Sequence, residues 1–96
     1  MPNLNENDKG IKFSHKGSQQ SPYCARHEFY AVDLPEGATK DDALEVVYSQ
    51  GYKRQNEAAW YESYARITEN SALDFSGHET KVNPSYELII TYPNLD

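Results

Sequence analysis

One cysteine in 96 residues cannot close an internal disulfide, so no covalent staple supports the fold. A lone thiol fits a reducing, cytoplasmic setting. The sequence has no run of about 18 apolar residues, which excludes a membrane-spanning helix and predicts no membrane partner. No basic start leads into an apolar stretch, so no secretory leader is expected. Bases are also scarce: nine Lys and Arg stand against fifteen Asp and Glu, for a net charge of −6. That balance argues against direct binding to a nucleic-acid backbone. No glycine-rich loop follows a strand in the spacing that a nucleotide site needs, and no internal repeat is visible.

The acidity is uneven. Residues 1–26 hold Glu6 and Asp8 against Lys9, Lys12, Lys16 and Arg26, a balance of +2. Residues 27–96 hold thirteen acids against five bases, a balance of −8. The first stretch is rich in Asn, Ser, Gln and Gly, a composition that buries too little apolar surface to offset its own ordering entropy. It reads as a weakly ordered basic polar arm, with an edge strand fitting at 11–14 where Ile11 and Phe13 straddle Lys12. Residues 27–96 read as a single acidic domain.

Within that domain, period-two aromatic and β-branched residues predict a strand over 28–34, ended by Pro35-Glu36-Gly37. Thr39 and Asp42 have capping-box spacing, and Ala43, Leu44, Val46, Val47 and Tyr48 share one side of a helix over 40–50, with Gly51 beyond its end. Residues 56–69 satisfy two patterns. At helical spacing Trp60, Tyr61, Tyr64, Ala65 and Ile67 cluster opposite Glu62, Ser63, Arg66 and Glu69, and this predicts a second helix. The alternative is a strand over 59–68 in a βαββ arrangement. Further strands are expected at 72–76 and at 86–92, where Leu88-Ile89-Ile90 implies burial on both faces and a central place in the sheet. The expected architecture is α+β: a small, mostly antiparallel sheet with two helices on one face. Its core would hold Phe29, Val32, Leu34, Leu44, Val47, Trp60, Tyr64, Ile67, Leu73, Leu88 and Ile90.

Candidate chemistry is sparse. His15, Cys24, His27 and His78 together make one candidate tetrahedral zinc set, but only Cys24 and His27 are paired in sequence. Scattered surface histidines and a small buried thiol account for the same residues, so no cofactor is expected. Cys24 and His27 could also form a thiolate–imidazolium pair, yet nothing nearby orients it. Asp41, Asp42 and Glu45 crowd one helix turn, where capping and solvation explain them without catalysis. Those acids would also repel phosphate from the helix start. Lys53, Arg54 and Gln55 make the one compact basic spot of the acidic domain, too small for a nucleic-acid surface.

Eight tyrosines are the remaining signal. Tyrosine offers large contact area and a hydroxyl at little rotamer cost, and carboxylates among exposed tyrosines suit a basic protein surface. The reading is therefore a non-enzymatic binding protein, monomeric or homodimeric, that docks on a larger protein with a basic surface. Asp41, Asp42, Glu45, Glu62 and Glu69 would meet basic groups, and Tyr48, Tyr52 and Tyr61 would add contact area. Its sharpest form is an inhibitor of a nucleic-acid-handling or defence machine, of phage or mobile-element type, whose carboxylates mimic nucleic-acid phosphates. Two alternatives stand beside it. One is a sensor or sequestering domain for a small ligand or metal, using His27, His78 and tyrosine hydroxyls. The other is a structural subunit of a larger assembly.

Overall fold

Thr39 and Asp42 do what their spacing predicts. In the computed structural model, which describes residues 4–21, 25–70 and 85–93, the Asp42 amide donates to Thr39 Oγ1 and the Thr39 amide to Asp42 Oδ2. This reciprocal pair opens helix α1 (Lys40–Ser49) and satisfies two amides that have no partner within the helix. Ala43, Val46 and Val47 are its buried residues. Gly51, at φ 103°, takes the left-handed conformation that ends it.

Among the described residues the sheet has five strands: β1 (Lys12–Gln20), β2 (Ala25–Asp33), β3 (Lys53–Arg54), β4 (Tyr64–Asn70) and β5 (Ser85–Pro93). Their order is β1-β2-β5-β4-β3, antiparallel throughout except for the parallel β3–β4 pair. β5 is central, as its apolar run requires. Leu88 and Ile90 are fully buried on the face that α1 covers, and Ile89 and Thr91 are buried on the other. No helix among the described residues is long and apolar enough to cross a membrane.

The α+β class holds, but the expected helix over 56–69 does not form. Residues 64–70 are strand β4, so the described residues hold one helix rather than two, and the strand alternative lies nearer the structure. The reason is β5. A strand buried on both faces needs a hydrogen-bonding neighbour on each edge. β2 supplies one edge and β4 the other, pairing Ala65 with Ile90 and Ile67 with Leu88. This demand overrides a helical pattern that the same residues fit locally. The core changes accordingly. Trp60 leaves it for solvent, while Val32, Val47, Leu88 and Ile90 remain buried and Leu34 and Ile67 pack against them. Phe29 and Tyr64 fall on the opposite face of the sheet, in register with Ile89 and Thr91. The expected strand at 72–76, with Leu73, lies outside the described residues.

The first residues contribute more than an edge strand at 11–14. β1 runs to Gln20, and Leu4, Ile11 and Phe13 join the core. Two asparagines organise this stretch. Asn7 Oδ1 accepts from the Lys9 and Ile11 amides, and its Nδ2 donates to the Leu4 and Ile11 carbonyls. Asn5 accepts from the Phe13 amide and donates to the Phe13 carbonyl, standing in for a neighbouring strand at that point of the sheet edge.

Candidate functional site

Most of the residues expected to meet a partner fall into two groups, with Glu69 and Tyr52 outside both. The first is on α1. Asp41 is exposed in the first turn, while Asp42 and Glu45 share Lys9 Nζ, 3.4 Å from Asp42 Oδ1 and in direct contact with Glu45 Oε2. The Asp42 carboxyl is held below its ordinary value, first by the Thr39 amide and then by Lys9. A lysine from the basic stretch thus neutralises part of the acidic face that the sequence suggested.

The second group is the loop from β3 to β4. Two amides, Glu57 and Ala58, donate to the Arg54 carbonyl. A tight turn follows: the Glu62 amide donates to the Ala59 carbonyl, and the Ala59 amide donates to Glu62 Oε1 at 3.0 Å. Lys53 lies 3.9 Å from Glu62 as well. Glu62 therefore holds the turn. At the tip stand Trp60, 82% exposed, and Tyr61, 56% exposed, their rings edge-to-face at 5.6 Å. Tyr48 sits half-buried beneath the Arg54 guanidinium, 4.8 Å from ring to cation. Glu69 stands apart on β4, exposed and in register with Tyr86.

A third cluster was not anticipated. Arg26 and Glu28 share the helix-covered face of β2 with Tyr30, whose ring borders both the apolar core and this cluster. The β1 register shifts between His15 and Gly17, a bulge at Lys16. It re-aims the strand so that His15 and Ser18, three residues apart, reach the same face. His15 Nε2 lies 2.6 Å from Glu28 Oε2, and Ser18 Oγ donates to that same oxygen. Arg26 Nε is 3.1 Å from Glu28 Oε1. These contacts, Ser18 first and then His15, hold the Glu28 carboxyl below its ordinary value. The Arg26 guanidinium lies 4.7 Å over the Tyr92 ring, and His15 meets Tyr30 edge-on at 5.1 Å. Tyr52 and Tyr92 share a hydroxyl bond of 2.6 Å. Burial and then that bond push the Tyr92 phenol well above its ordinary value. Glu28 stands between Ser18 and His15, so His15 is not placed to take the serine proton. Glu28 and Tyr30 at two-residue spacing on the strand expected over 28–34 were the available signal, but Arg26 fell in the stretch read as an arm, and the bulge that completes the set is not visible before strand pairing is known.

The proposed zinc set is divided. His15 is on the helix-covered face, whereas His27 is on the opposite face with its Nδ1 2.9 Å from Thr91 Oγ1. Cys24 and His78 lie outside the described residues. Among the described residues, no group of three or more His, Cys, Asp and Glu is placed to hold a metal ion.

Comparison with protein-family models, with curated proteins and with solved structures finds no match for this chain.

Proposed function

We propose that this chain is a small non-enzymatic binding protein that docks on a larger protein, with Trp60 and Tyr61 as its anchor. One observation carries the reading: two large aromatic side chains project into solvent from a turn that backbone and side-chain hydrogen bonds hold in place. Trp and Tyr dominate binding hot spots because they bury large area on contact. A turn already ordered by Glu62 loses little conformational freedom when a partner covers it. The surrounding charge favours a basic partner. Asp41, Glu45 and Glu57 are exposed, and the whole chain carries −6. Such charges act mainly on the association rate, so capture should slow as salt rises.

The narrow form of this reading, occupation of a basic nucleic-acid groove, adds one consequence: nucleic acid should compete with the chain for its partner. The test is affinity capture from a host lysate with the intact protein beside Trp60→Ala/Tyr61→Ala and Asp41→Lys/Glu57→Lys variants. A partner kept by the intact chain, lost by the aromatic variant and weakened by charge reversal supports the proposal. Equal retention by all three overturns it.

A further inference from the structure

The polar half of the helix-covered face is hollow. His15, Ser18, Arg26 and Glu28, with the rings of Tyr30, Tyr52 and Tyr92, line a cavity of about 500 Å3. Sites for small molecules run from about 300 to 1,000 Å3 and combine apolar or aromatic walls with a few convergent polar groups. We propose that this cavity binds a small planar ligand bearing an anionic group, with Arg26 taking the anion and the tyrosine rings taking the plane.

Tyrosines around a carboxylate usually suit a cation, and here that role is already filled from within the chain. Arg26 lies over the Tyr92 ring and pairs with Glu28. The Glu28 side chain is only 14% exposed, and its oxygens already meet His15, Ser18 and Arg26. An incoming amine would have to displace these partners.

The cluster offers donors instead. The Arg26 side chain is 54% exposed, and its guanidinium is a planar fork that matches carboxylate and phosphate oxygens. Tyr52 and Tyr92 use one hydroxyl proton in their mutual bond and keep the other to donate. Arg26 lies over the Tyr92 ring and His15 meets Tyr30 edge-on, so the walls of the cavity are themselves flat and aromatic. A ligand ring placed there would gain stacking area while its anion met the guanidinium.

This site is separate from the Trp60 turn, so each can fail without the other. The experiment is a titration of the uniformly 15N-labelled full chain, followed by NMR, with four probes: benzoate, phenyl phosphate, acetate and benzylamine. Benzoate and phenyl phosphate should shift amides of β2 and β5 around Arg26 and Tyr92 along saturable curves. Acetate and benzylamine should bind at least tenfold more weakly. Arg26→Gln should weaken benzoate at least tenfold, and Arg26→Lys by an intermediate factor. Arg54→Gln, which alters the other ring-stacked arginine, should leave the affinity unchanged, as should Trp60→Ala. The amide spectrum of each variant reports its fold in the same measurement. Benzylamine binding as tightly as benzoate would overturn the proposal in favour of a cation site. Absence of saturable shifts with either aromatic anion, or an undiminished affinity in Arg26→Gln, would also overturn it.

Discussion

The helix-covered face of the sheet has two halves built from the same strands. Under α1, β2 presents Val32 and Tyr30 and β5 presents Leu88 and Ile90, with Phe13 from β1, and the packing is apolar. Farther along, β2 presents Glu28 and Arg26, β5 presents Tyr92, and β1 presents His15 and Ser18 across its bulge. One half excludes water by hydrocarbon packing. The other gathers His15, Ser18 and Arg26 on one carboxylate and keeps a cavity beside it. The first specifies the fold and the second holds open a site at its margin, so substitutions in the two halves should differ in kind.

The largest effect is expected in the apolar half. Leu88→Ala removes a fully buried side chain from the central strand and should cost about 2–5 kcal/mol in denaturant unfolding. Glu28→Gln should cost less, and its effect should depend on pH. The folded-state carboxyl titrates below its ordinary value of 4.5, so its contribution is present above that pH and is lost as pH falls through the lower folded value. Wild-type stability should therefore drop more steeply than that of Glu28→Gln below about pH 4.5. Tyr92→Phe gives the opposite limb. Its phenol is raised above the ordinary value of 10, so its contribution is present below pH 10 and is lost as pH climbs beyond it. The variant should lose stability more gently than wild type in that alkaline range. Trp60→Ala is the smallest case for folding. An exposed ring on a turn should change stability by no more than about 0.5 kcal/mol while removing partner capture.

How much the chain discloses before folding depends on the distance over which each decision is made. The α1 start rests on Thr39 and Asp42, three residues apart, and was readable. The central place of β5 follows from its own apolar run. Residues 56–69 were ambiguous because aromatic spacing fits both periods, and β5 decides between them through partners distant in sequence, from Asn70 with Ser85 to Tyr64 with Thr91. Trp60 was misplaced with that choice: at helical spacing it joins Tyr64, but ahead of a strand beginning at Tyr64 it stands on a turn. Asn5 and Asn7 counted only as polar composition. Their hydrogen bonds depend on where Phe13, Leu4 and Ile11 lie in the folded chain. The Lys16 bulge was hidden for the same reason, and with it the convergence of His15 and Ser18 on Glu28.

Trp60 is the single tryptophan of the chain, which makes its emission a direct report on the proposed anchor. The decisive measurement is that emission in the free protein and in the complex recovered by capture with a partner lacking tryptophan signal. The account predicts a water-exposed spectrum in the free chain that shifts to shorter wavelength on binding. Emission already shifted in the free chain, or unchanged in the complex, would contradict it.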